Sequence, residues 1–137
     1  MHKIILVTIA LMLLSSVGYG ADWKYYTNDA DGSTYFYDTQ SVSREQDTTK
    51  VWVKELLSDK AKARQIKNHP NAPEIEKISI NQYRLEINCS KNMMRVLSSV
   101  GYSAEDTVIS NSNFPDSQFQ GIVPDSNSAK LVKSICK

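Results

Sequence analysis

The chain has 137 residues, with 16 Lys and Arg against 15 Asp and Glu and a formal net charge of +1. That near-balance excludes a general nucleic-acid binder, which needs a basic excess gathered on one face. The length is that of one ordinary domain with a leader, and there is no internal repeat, heptad run or acidic tail.

The leader comes first. Met1-His2-Lys3 is basic, Ile4 to Leu14 is apolar apart from Thr8, and Gly18 and Gly20 occupy the −3 and −1 positions of a cleavage before Ala21. This pattern predicts a secretory signal peptide over residues 1–20 and a single mature domain over 21–137. The apolar run is about half the length of a bilayer-spanning helix, so no stable membrane span is expected. The product is expected in the periplasm or outside the cell. With Lys3 removed, the mature chain carries 15 basic and 15 acidic residues.

An oxidising compartment lets Cys89 and Cys136, the only two cysteines, pair with each other. The loop so closed is about 48 residues, for which chain entropy credits roughly 4 kcal/mol. The alternative is a pair of free thiols for redox or metal chemistry. It has no C-x-x-C spacing behind it, and His69 is the single histidine of the mature chain.

Trp23 to Thr27 is a short aromatic strand. Asn28 to Gly32 is a turn, and Thr34 to Asp38 returns as a second strand, because Asp31-Gly32 supplies the positive φ a hairpin needs. Thr39 to Asp47 reads as polar loop. Thr49 to Leu57, centred on Val51-Trp52-Val53, is a third strand. Ser58 or Asp59 caps a short solvated helix running to Asn68, and Pro70 and Pro73 end it. Ile75 to Cys89 is the longest strand candidate. Tyr83, Leu85, Ile87 and Cys89 alternate with Arg84, Glu86 and Asn88, which predicts one buried and one wet face. Met93 to Tyr102 runs back antiparallel, Thr107 to Ser110 adds a short strand, and Asn111 to Asp116 is loop. Ser126 caps a last helix whose Leu131, Val132, Ile135 and Cys136 form one stripe. The expected fold is α+β: an antiparallel sheet of about five to six strands, a C-terminal helix on one face, and one disulfide between them.

Catalytic signals are sparse. His69 beside Pro70 reads as an exposed loop residue, no serine lies in a Gly-x-Ser-x-Gly elbow, and no Gly-rich phosphate loop exists. Residues 27–38 resemble part of an EF-hand loop, with Thr27 at position 1, Asp29 at 3, Asp31 at 5, Gly32 at 6 and Asp38 at 12. The acidic first ligand is missing and strands flank the segment, so a hairpin turn is the expected structure and no metal or cofactor is assigned. Lys60, Lys62, Arg64 and Lys67 form a basic run, read either as a solvated helix face or as a contact for an acidic protein or glycan. Trp23, Tyr25, Tyr35, Tyr37 and Trp52 are expected mostly to pack on the sheet, with one or two exposed for recognition.

Taken in order, the residues resemble a family. Trp23-x-x-Tyr26, the Asp31-Gly32 hairpin into Tyr35-Phe36-Tyr37-Asp38, Ser41-Val42 and Lys50-Val51-Trp52-Val53-Lys54 resemble the opening of the surface-adhesin protein E domain. Tyr83-x-x-x-Ile87-Asn88-Cys89, Arg95 and Ile122-x-Pro124-Asp125-Ser126 leading to Leu131 and Cys136 resemble its second half. The resemblance implies a sheet flanked by a helix with one disulfide. It also implies a non-catalytic bacterial envelope protein that binds host matrix and serum proteins such as laminin, vitronectin and plasminogen. The adhesin resembled is a surface lipoprotein, whereas no cysteine stands at the expected cleavage site here. A soluble periplasmic accessory or inhibitor protein without a host ligand is therefore the competing expectation. Edge strands leave a homodimer open.

Overall fold

The computed structural model describes residues 20–137. Nearly all of the expected signal peptide lies outside the described residues. In chain order the strands and helices are β1 (Trp23–Asn28), β2 (Thr34–Asp38), β3 (Ser43–Glu45), β4 (Thr48–Leu56) and α1 (Asp59–Asn68). There follow β5 (Ile80–Asn88), β6 (Met93–Tyr102), β7 (Val108–Asn113), β8 (Gln120–Gly121) and α2 (Asn127–Ile135). All eight strands join one sheet with antiparallel neighbours, in the order β1-β2-β4-β5-β6-β7, while β3 also pairs with β4 and β8 with β6. The expected architecture holds, with two short strands added.

Those additions follow one rule. The outward edge of β4 is shared end to end by β3 at Thr48–Lys50 and by β2 at Val53–Leu56. Between them, the Ser41 hydroxyl accepts from the Trp52 amide at 2.9 Å. On the other side β6 pairs with β8 at Met93–Met94 and with β7 from Ser98 onward. The Phe114 amide donates to the Leu97 carbonyl at 2.9 Å in that gap. The loop expected over 39–47 thus contains β3, and β7 extends to Asn113 where loop was expected. Ser43-Arg44-Glu45 and Asn111-Ser112-Asn113 carry no apolar alternation, so the ladder alone makes them strands. The long strand candidate begins at Ile80, not Ile75, because Pro73 starts a 3-10 turn over Pro73–Lys77. Ile78 then buries against Gly101, where a β-carbon would stand 2.7 Å from the isoleucine Cδ1.

The period-two pattern sets the core. Tyr37, Val51, Val53, Leu85 and Ile87 face inward and meet Leu131 and Ile135 of α2. Ser126 caps α2 by accepting from the Ala129 amide at 3.2 Å, and Arg44 of β3 donates to the Ile135 carbonyl at 2.8 Å. A cation at a helix C-terminus is favourably placed against the helix dipole. Cys89 and Cys136 are joined, with Cα atoms 5.6 Å apart, and so bind the end of α2 to the end of β5.

One expectation of exposure fails. Glu86, assigned to the wet face of β5, is only 6% exposed. Arg95 on β6 is the reason: its Nε donates to Glu86 Oε1 at 2.7 Å, and its guanidinium stacks 4.7 Å from the Phe119 ring centroid. The same guanidinium reaches the Ser117 carbonyl at 3.4 Å and fastens the loop before β8 over the ion pair. Elsewhere on this outer face Lys54 lies 4.5 Å above the Trp23 ring and 5.3 Å from Phe36. Burial lowers its ammonium pKa below the usual lysine value, and the Asp106 charge opposes that shift.

Leu131→Ala removes a side chain of α2 that is 1% exposed in the core and is expected to cost about 2–5 kcal/mol in urea unfolding. Replacing both cysteines by alanine is expected to cost a similar roughly 2–5 kcal/mol, and added reductant should then leave the double variant's melting temperature unchanged.

Candidate functional site

The inner face of the sheet is longer than the helix that covers it. Nine residues of α2 span about 14 Å. Nine residues of β4 or β5 span about 30 Å. Pinned at its C-terminal end by the disulfide, α2 leaves the inner face open beyond its first turn. The opening is a cleft of about 280 Å³, with Tyr26, Tyr35, Glu55 and Tyr83 on its floor and Asn127, Ser128 and Leu131 on the helix side. Tyr83, Met94, Val96 and Ser128 also line an adjoining groove of about 890 Å³ under the segment from Phe114 to Val123. Phe114 and Val123 stand well exposed along it.

Glu55 is the chemical centre of the cleft. The alternation Thr49, Val51, Val53, Glu55 places its carboxylate on the buried face of β4, and the residue is 9% exposed. Oε1 accepts from Asn81 Nδ2 at 3.1 Å and from the Tyr83 hydroxyl at 3.2 Å, and Oε2 accepts from the Tyr35 hydroxyl. Three strands, β2, β4 and β5, meet at this one carboxylate. Asn81 also donates to Gln65 of α1 at 3.3 Å, which ties α1 to this network. Burial raises the phenol pKa values of Tyr26, Tyr35 and Tyr83 above the usual tyrosine value, and the Glu55 charge adds to each.

The four basic residues singled out by sequence all lie on α1, which Ser58 caps as expected, but they do not form one free patch. Lys60, Arg64 and Lys67 follow the i, i+4, i+7 spacing of one face. Lys60 and Arg64 both pair with Asp31, whose side chain is 7% exposed. Lys62 points the other way and donates to the Ser79 hydroxyl at 3.2 Å. Lys67 is exposed in the last turn. His69 is exposed at the end of α1, with Nδ1 3.0 Å from the Gln65 carbonyl.

The aspartates of the first hairpin shape the turn. Asp29 accepts from the amides of Asp31 and Ser33 at 3.0 Å, its Oδ2 lies 3.1 Å from the Tyr35 hydroxyl whose proton is directed to Glu55, and Gly32 takes φ +87°. Asp38 accepts from the amides of Asp22 and Gln40 at 2.9 and 3.0 Å. These contacts occupy the carboxylates that an EF-hand reading would turn toward an ion. Among the described residues no three His, Cys, Asp or Glu side chains group as a metal site. Of the candidate aromatics, Tyr37 is core, Tyr35 is on the cleft floor and Tyr25 is 53% exposed. Sequence reasoning missed Glu55. Its signal was present: an acidic residue in phase with the buried positions of a strand.

The raised tyrosines bear on alkaline stability. An unfolded tyrosine loses its proton near pH 10. Above that pH the folded chain holds protons that the unfolded chain has released, so stability falls as pH rises. The urea midpoint is expected to begin falling near pH 10, and Tyr26→Phe to make the fall shallower. A midpoint as steep in the variant as in the parent would contradict this assignment.

Residues 23–137 match the family model described as surface-adhesin protein E. At the level of sequence, no curated protein matches the chain. Among solved structures, crystal form II of Haemophilus influenzae protein E is similar in fold, with 12% identity and a TM-score of 0.55 over 88% of this chain and 94% of that one. A second structure of Haemophilus influenzae protein E gives 13% identity and a TM-score of 0.53, over 89% and 87%. The match to the family runs from the first strand to the last residue and takes in both joined cysteines, and the chain belongs to the surface-adhesin protein E family.

Proposed function

We propose that this chain is an exported, non-catalytic binding module of the bacterial envelope that engages a host matrix or serum protein of the laminin, vitronectin or plasminogen kind. Family membership over residues 23–137 is the observation that carries this reading. Export is assigned to cleavage of residues 1–20 as a signal peptide, leaving residues 21–137 as the mature domain in the periplasm or medium. The two cysteines are consumed by one another, which favours a form without a lipid tether. The same feature supports a second reading, a soluble periplasmic accessory or inhibitor protein without a host ligand.

In the first reading the exposed cations of α1, chiefly Lys67 with Lys60 and Arg64 beside Asp31, meet an acidic surface of the partner. Lys62 contributes from the flank. The outermost strands β1 and β7 offer edges for pairing two copies.

Immobilised laminin, vitronectin or plasminogen is expected to retain the mature protein above albumin. The binding should weaken as salt rises, because exposed charges are screened, and Lys67→Glu should weaken it further. Retention no better than on albumin, together with recovery of an envelope protein by pull-down from the periplasm, would move the assignment to the second reading.

A further inference from the structure

From the cleft on the inner face of the sheet beside the first turn of α2 we infer a recognition pocket for one lysine side chain of a partner polypeptide. The inference goes beyond the host-ligand reading and does not rest on it. Four observations carry it.

First, Glu55 is a carboxylate withdrawn from water with neutral partners only. Buried charges are ordinarily paired. Among the described residues the ion pairs are those of Asp31 and Glu86, and Glu55 takes part in none. Second, its acceptor capacity is not filled. A carboxylate has about four acceptor positions. Asn81, Tyr83 and Tyr35 occupy three, which leaves one on Oε2. Third, the surrounding rings are those of Tyr26, Tyr35 and Tyr83, and aromatic faces attract an ammonium group. Fourth, the approach is apolar. Val53, Leu85, Met94, Val96 and Leu131 line it and suit a methylene stem that carries its charge at the tip.

The single vacant acceptor position also selects between cations. An arginine fork is best satisfied by two parallel acceptors, whereas an ammonium is a point charge with rotatable donors. Lysine therefore fits, and arginine fits less well. The lysine enters ammonium first, its stem lying along Leu131 and Val96, and the ammonium donates to Glu55 Oε2 with the tyrosine rings around it.

The test is an NMR titration of the isotope-labelled domain, residues 21–137 with the disulfide intact, up to high millimolar probe. The probes are Nα-acetyl-lysine methylamide, its norleucine counterpart, which keeps the stem and lacks the ammonium, and the arginine counterpart. Expected are shifts at Tyr26, Glu55, Tyr83 and Ser128 with the lysine probe. Binding of the norleucine probe should be weaker by roughly tenfold or more, as for loss of a charged hydrogen bond, with arginine between the two. Glu55→Gln should erase the preference for lysine over norleucine. Equal binding of lysine and norleucine, shifts confined to other surfaces, or an unchanged lysine preference in Glu55→Gln overturns the inference, as does the absence of any shift. The probe comparison on the parent protein decides the matter even where Glu55→Gln fails to fold. Failure to retain matrix proteins would not alter these shifts, so the two readings fail separately.

Discussion

The inner face of the sheet is covered along only part of its length, because the helix that covers it is short and is fixed at one end. The disulfide holds Cys136 at the end of β5, and Leu131 and Ile135 bury against Val51, Leu85 and Ile87. Arg44 completes the attachment through the carbonyl of Ile135, the last residue of α2. With that end fixed, α2 cannot slide toward Glu55 without giving up its core contacts. The cleft therefore follows from helix length and anchor point together, and loop movement is not needed to form it.

The same constraint organises the polar half of the face. Where α2 stops, an apolar floor would be left wet, and the sequence changes from Val51 and Val53 to Glu55, with tyrosine and asparagine on the neighbouring strands. These side chains satisfy one another across three strands and fix their register at the open end, much as the helix fixes it at the covered end. A half-satisfied buried network would weaken the sheet. Here the hydroxyl and amide donors of β2 and β5 converge on one carboxylate of β4, which ties the three strands together at the open end.

Much of this was legible in the residues, and the limits have physical causes. The hairpin, the capping serines 58 and 126, the strand alternation around Leu85 and Ile87 and the inward stripe of α2 each follow from a local pattern, and each was found where expected. Strands β3 and β8 were not legible because their residues are polar and short, and only a neighbour's free edge makes them strands. Glu86 misled because alternation marks faces and is silent on pairing. Its burial depends on Arg95 and on Phe119, which lies 33 positions away in sequence. The basic run looked like a single surface because its compensating charge, Asp31, comes from the first hairpin. The cleft was invisible for the same reason: its members come from β1, β2, β4, β5, β6 and α2, and no one segment carries more than two of its polar groups.

The lysine set between two rings on the outer face has a consequence for the life of the protein in solution. Trp23, Tyr25 and Phe36 lie close together there with Lys54, on a side that neither helix buries. A bare aromatic patch next to a terminal strand invites other copies of the chain to stack on it. Lys54 sets its ammonium over those rings, so that a second copy would have to strip water from a charge before touching the tryptophan. The charge thus sets a desolvation cost on any stacking against the side of the sheet away from the cleft.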